Sequence, residues 1–321
     1  MITVLASQNG RTWKVETIDP GWLQPGSDVV FWADFERPDD VEAGTLRQTF
    51  QFHELAVEDA ISEIHHPKIE EYEGFLYLIL HGILAGANER GFVTQDVDFF
   101  LGRNYLVTVH GQPSRSITQQ LDVCLRHSGV LAQGPPGLMH RIVDSMVDHY
   151  WPEVDKLEDA LEELEHVVFE TPHENPLRRI LALKREVASF RRIVLPERDA
   201  IGRLARREFA EIPDELAYRF RDVYDHLVNL ADEAVSYQDR VTSLLDAYLS
   251  AQSNRMNQVM KVLTVIATIF MPLTVLTGMW GMNVGLPHLP GSDQAQFWWV
   301  AGFMLALSAA MLWVFRKQGW L

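Results

Sequence analysis

The chain has 321 residues, of which 28 are Lys or Arg and 44 are Asp or Glu, for a formal charge of −16 at neutral pH. That balance argues against a nucleic-acid binder, because phosphate contacts need a basic face and this chain is acidic nearly everywhere. A single cysteine, Cys124, excludes an internal disulfide and a CxxC metal or redox site.

The opening segment MITVLASQNGRTWKVE has neither the basic region nor the apolar core of a secretory signal, so the first domain is expected in the cytosol. Short β-like runs follow at 28–35 (DVVFWADF), 75–84 (FLYLILHGIL) and 97–110 (VDFFLGRNYLVTVH). The last reads as two strands around Gly102-Arg103-Asn104, and FHELAVEDAISEI (52–64) reads as an amphipathic helix. Residues 1–137 are therefore expected to form an α/β domain, closed by the punctuation Gln133-Gly134-Pro135-Pro136-Gly137.

Residues 138–260 are expected to be long helices, broken at Pro172, Pro176 and Pro213. The first is acidic, with Glu153, Asp155, Glu158, Asp159, Glu162, Glu163 and Glu165 close together, and reads as a solvated face. From Leu216 through Phe220, Val223, Leu227, Leu230, Ala234, Tyr237, Val241, Leu244 and Tyr248, apolar residues alternate in steps of four and three. That seam predicts one long helix packed along partner helices and supplies a reason for several copies to gather.

From Val262 to Ser292, and again from Gln294 to Phe315, no Asp, Glu, Lys or Arg occurs. A bilayer core of about 30 Å needs roughly 20 apolar residues in a helix, so these stretches predict transmembrane helices at 261–283 and 295–315 with an external loop at 284–294. Arg255 and Lys261 precede the first span, and Arg316 and Lys317, in a basic tail at 316–321, follow the second. By the positive-inside rule both ends face the cytosol, leaving 25 basic and 43 acidic residues in 1–260 on that side.

The first span carries Asn257, Met260, Leu263, Ala267, Met271, Thr274 and Gly278 on roughly one face. Amides, a hydroxyl, small residues and flexible apolar residues suit a pore wall with hydrophobic constrictions; the same stripe also suits a helix–helix contact. Pro272 removes a backbone donor and frees the Thr268 carbonyl, which a water-lined axis would satisfy. The span ends in Gly281-Met282-Asn283.

This motif, IFMPLTVLTGMWGMN, resembles the CorA-type magnesium transporters, with their GMN tripeptide after a proline-containing span and their two-span C-terminus. FHELAVEDA, HHPKIEEYEGFLYLIL, LGRNYLVTVH, FRDVYDH, LLDAYLS, NQVMKVLTVIATIFMPLT and the basic end FRKQGWL extend the resemblance over nearly the whole chain. It implies an α+β membrane protein: a homopentameric funnel with a cytosolic α/β domain, outer acidic helices, a pore-lining stalk helix and two C-terminal transmembrane helices in the cell membrane. It further implies an outer selectivity ring at Asn283 with backbone from Gly281 and Met282, and a hydrophobic gate at Met260 and Leu263. Mg²⁺ would be both cargo and regulator, with regulatory ions bridging subunits through Glu58, Asp59, Asp144 and Asp222. The partners implied are other copies of the chain, the lipid bilayer and divalent cations, and no organic cofactor.

A neutral amide ring suits Mg²⁺, which dehydrates reluctantly and can be held through its waters. Trp280 stands where the family usually has tyrosine, and the loop VGLPHLPGSDQ has only Asp293 as an acid, its NVG opening being similar to the zinc-transporting ZntB branch. The expected function is thus passive influx of Mg²⁺, with Co²⁺ and Ni²⁺ as further passengers; the alternative is proton-coupled Zn²⁺ transport. A third reading, a scaffold using the hairpin as an anchor, leaves the polar motif at the external mouth unexplained. No GxSxG, Walker or zinc-hydrolase motif supports an enzyme, and His288 and His65-His66 form no metal-ligand pattern.

Overall fold

A computed structural model describes residues 1–62, 65–84, 93–170, 176–282 and 292–320. The chain comprises two compact units, Met1–Leu244 and Leu245–Leu321.

The first unit is built on a seven-stranded mixed sheet. Its strands are β1 (Ile2–Gln8), β2 (Arg11–Val15), β3 (Val30–Glu36), β4 (Lys68–Tyr72), β5 (Phe75–Ile83), β6 (Thr94–Gly102) and β7 (Tyr105–His110). They lie in the order β2-β1-β3-β7-β6-β5-β4. Every neighbour pair is antiparallel except β3 and β7, which run parallel with Phe31 opposite Tyr105 and Phe35 opposite Val109. The expected hairpin around Gly102-Arg103-Asn104 is present as β6–β7.

β5 is buried along nearly its whole length because both sheet faces are covered, which accounts for its unbroken apolar run. Helices α1 (Asp40–Gln48) and α2 (Glu54–Ile61) cover one face over a cluster containing Phe31, Phe35, Phe50, Phe52, Tyr77 and Phe100. The Asp39 side chain accepts from the Val41 and Glu42 backbone while Glu42 reaches back to the Asp39 N–H, a reciprocal cap that starts α1. α4 (Pro135–Asp148) packs against β3, β5, β6 and β7. Gly134, at φ +95°, turns the chain into the Pro135-Pro136 start of α4.

The α/β reading of the N-terminal part is present, with more helix than the sequence patterns indicated. α3 (Arg115–Arg126), capped by the Ser114 hydroxyl, packs on α4, and α1 adds a further helix beside α2. The expected first long helix is divided in two, α4 and α5 (Trp151–Glu170). α6 (Leu177–Ala205) follows and accommodates Pro196 in its interior.

α7 is one helix from Asp214 to Trp280, with Asp214 and Glu215 in its first turn, where acids complement the positive end of the helix dipole. The predicted seam is real: Phe220, Val223, Leu227, Leu230, Ala234, Tyr237, Val241 and Leu244 are all buried, and Leu216 is half-buried. Its flanks are tied by Arg240 to Glu165 of α5 at 3.2 Å and by Arg191 of α6 to Gln238 at 2.7 Å.

The second unit contains the C-terminal part of α7 and α8 (Asp293–Lys317). Both helices are long and apolar enough to cross a membrane, and in the apolar stretch of each almost no residue is buried within the chain. α8 ends by a glycine cap: Gly319 takes φ +71° and the Trp320 N–H reaches the Phe315 carbonyl at 3.0 Å.

Candidate ion pathway and cation-binding residues

The α7 face proposed from spacing is uncovered along its length. Asn257, Met260, Leu263, Ala267, Met271, Thr274 and Gly278 are all exposed in the single chain, Leu263 at 65% and Met271 at 68%. Val265, Thr268, Ile269, Pro272, Leu273 and Leu276 are the shielded or half-shielded residues of the same segment. A groove lined by Leu263, Ala267, Thr268, Pro272 and, from α8, Met311 runs beside them. A helix so apolar and so little covered requires other surfaces, lipid or protein, around it.

The helix satisfies its own hydroxyls. Thr264, Thr268 and Thr274 donate to the carbonyls of Met260, Thr264 and Phe270 at 2.7, 2.7 and 2.9 Å. This back-bonding is how hydroxyls are accommodated where water is excluded. α7 continues through Pro272, which has no N–H to offer the Thr268 carbonyl.

At the C-terminal end of α7 the Gly281 N–H still reaches the Thr277 carbonyl at 3.0 Å, and Met282 donates to Met279 at 3.3 Å. A Cβ on Gly281 would stand 3.3 Å from the Thr277 carbonyl oxygen, a close approach that favours glycine there. Asn283 and His288 lie outside the described residues, as does most of the loop between the spans.

The four carboxylates of the expected regulatory sites fall into two groups. Glu58 and Asp59 sit on α2; Glu58 is exposed, whereas Asp59 pairs with Lys68 at 2.7 Å and approaches His65 at 3.5 Å. Lys68 also holds Glu70 at 3.0 Å, so the acid–base pairing here is shared. Asp144 on α4 and exposed Asp222 on α7 form the second group. Burial raises the Asp144 carboxyl above its usual range; the negative charges of Asp148 and Asp222 add to this, while His140 and His226 oppose it.

Hard carboxylate oxygens are the donor type Mg²⁺ takes. Among the described residues no three His, Cys, Asp or Glu side chains of one chain converge as a metal site. Lys68, His140, Asp148 and His226, which surround the candidate ligands, were not singled out from sequence; each lies in a charged or helical segment whose local pattern reads as solvated surface.

An apolar two-helix hairpin joined to an acidic α/β unit, with an uncovered polar-and-apolar stripe on the first of the two helices, has the parts of a membrane transporter of metal cations. A family model described as "CorA-like Mg2+ transporter protein" matches residues 27–317, and the chain belongs to that family. YfjQ of Bacillus subtilis (strain 168), whose name describes a metal ion transporter, is 32% identical over 308 residues, 96% of this chain and 92% of its own. The cobalt/magnesium transport protein CorA of Thermotoga maritima is 31% identical over 277 residues, 85% of this chain and 78% of its own. The solved structure of the CorA magnesium transporter from Methanocaldococcus jannaschii is similar with a TM-score of 0.83 at 25% identity, covering 100% of this chain and 99% of its own. The protein is thus a membrane-embedded divalent cation transporter of the CorA and ZntB type, a family of transporters rather than enzymes.

Proposed function

We propose that the protein is a passive channel for Mg²⁺, with Co²⁺ and Ni²⁺ as further passengers, working as a homopentamer in the cell membrane with both termini in the cytosol. The observation that carries the reading is the uncovered α7 stripe from Asn257 to Gly278 leading to Gly281-Met282-Asn283. Around a symmetry axis that stripe becomes the wall of a pore.

Asn283, with backbone from Gly281 and Met282, forms the outer ring and binds the hydrated ion through its waters. Met260 and Leu263 close the path by dewetting. An inside-negative potential drives entry, supplying about 4.6 kcal/mol per 100 mV for a divalent ion. Regulation follows from the acidic surface: Glu58, Asp59, Asp144 and Asp222, brought near one another across subunit boundaries, repel until Mg²⁺ bridges them. Falling internal Mg²⁺ restores the repulsion, loosens the ring and opens the gate.

The test is Mg²⁺ influx into liposomes carrying purified protein, under an inside-negative potential with no pH gradient, comparing the wild type with Asn283→Ala. Flux in the wild type that disappears in the variant supports both channel and filter. Absence of Mg²⁺ flux, with Zn²⁺ uptake that requires a pH gradient, would reassign the protein to proton-coupled zinc transport, the direction in which Trp280 and the acid-poor loop point.

A further inference from the structure

A cleft of about 650 Å³ opens in the first unit, walled by the loop at 24–27, the end of α1, the α1–α2 link and the β6–β7 turn. Its composition departs from that of the chain. With 44 acids among 321 residues, not one Asp or Glu lines it, and its single charged residue is Arg103. Arg103 is exposed and makes no hydrogen bond or ion pair among the described residues.

Beside it stands a second unused donor. The Tyr105 ring lies over Gly102, where a Cβ would come within 2.2 Å of it, and packs 5.4 Å from the ring of Phe50. Its hydroxyl has no hydrogen-bond partner among the described residues, and burial alone raises its pKa. Gln24, Gln48 and Gln51 add neutral amides, and Gln51 holds a left-handed backbone at φ +55°, a strained conformation for a non-glycine residue. Asn104 fixes the opposite wall, its amide donating to the Trp22 carbonyl at 2.9 Å and to the Val29 carbonyl at 2.8 Å.

We propose that this cleft binds a phosphorylated small molecule, with its phosphate on Arg103 and the Tyr105 hydroxyl and its neutral polar body against the glutamine amides. The guanidinium fork matches phosphate oxygens geometrically, and a lining without carboxylates lessens the repulsion that an anion meets on this acidic protein, the nearest acids in the chain being Asp19, Asp28 and Glu73 beside the wall. The volume lies in the range of small-molecule sites and exceeds what a lone inorganic phosphate fills.

The experiment is calorimetric titration of the full-length protein in detergent at fixed Mg²⁺ with AMP, glucose 6-phosphate, inorganic phosphate and citrate. AMP or glucose 6-phosphate is expected to bind once per chain. Arg103→Gln and Gln24→Glu should each weaken that binding by at least about tenfold, the first by removing the charge-assisted contact and the second by adding a repelling charge. Tyr105→Phe should weaken it less, and unchanged melting of the Gln24→Glu variant keeps a folding defect separate from lost binding. Binding of none of the phosphate compounds, binding indifferent to Arg103→Gln and Gln24→Glu, or binding of citrate alone would overturn the proposal.

Discussion

The buried carboxyl of Glu197 on α6 accepts a 2.5 Å hydrogen bond from the backbone N–H of His81 on β5. The Tyr150 hydroxyl donates to the carbonyl of the same His81 at 2.7 Å and is also hydrogen-bonded to Glu197. Burial pushes the Glu197 pKa up to about 8, against which the His81 and Tyr150 hydrogen bonds act.

The folded state therefore holds a proton that the unfolded state releases above the ordinary carboxyl value of 4.5, so this group's contribution to stability falls as pH rises from 4.5 through about 8. The neighbouring His81 ring, facing Asp96, His66 and Arg192, has its pKa lowered mainly by burial and acts on the acid side instead. Glu197→Gln keeps the hydrogen bonds without the titration. Thermal melting between pH 6.5 and 8 should decline less in the variant than in the wild type; parallel declines would show that Glu197 is not the group responsible.

Leu227 lies in the seam of α7 and is fully buried, whereas Val235 on the same helix is 41% exposed. Leu227→Ala should cost about 2–5 kcal/mol through lost burial and a cavity, and Val235→Ala much less. Denaturant unfolding of both variants measures the difference, and equal losses would mean that the seam does not stabilise the unit.

Asp222 and Asp144 belong to the same electrostatic neighbourhood within one chain. On the proposed regulation, Mg²⁺ should protect the acidic unit against protease, and Asp222→Ala should weaken that protection, shifting the half-protecting Mg²⁺ concentration upward. A protection curve superimposable on that of the wild type would remove Asp222 from the regulatory reading.

Leu263 presents its apolar side chain on the uncovered stripe. If Mg²⁺-dependent constriction by dewetting closes the pore, the wild type should be shut at high internal Mg²⁺ and Leu263→Asn should raise Mg²⁺ flux there. Flux in liposomes preloaded with Mg²⁺ gives the answer, and a variant as tight as the wild type would place the gate elsewhere.

How far the fold could be read depended on the range of the forces involved. The charge-free stretches and the step-of-four-and-three seam are properties of one helix and its surroundings, and both emerged from spacing alone. α3 did not, because Ser116, Gln120 and Cys124 line its buried face, a sparse apolar signal. Glu197 stands in LPERDAI, among arginines, and reads as a solvated acid; its partner His81 lies 116 residues earlier, beyond any local pattern. The candidate carboxylates were named through family resemblance, and the structure adds what surrounds them: Lys68 at Asp59, and Asp148, His140 and His226 at Asp144.

The parallel junction of β3 and β7 has a consequence for synthesis. β1, β2 and β3 emerge early and can pair with one another, yet the other edge of β3, with buried Phe31, Trp32 and Phe35, has no neighbour until Tyr105–His110 follows. At about 5–20 residues per second that edge waits several seconds on the ribosome. Until then the Trp32 indole lacks its Thr108 acceptor, and the nascent half-sheet offers an open template to any passing strand. The N-terminal strands thus need shielding of their own while the protein is being made, apart from the cover its apolar spans require.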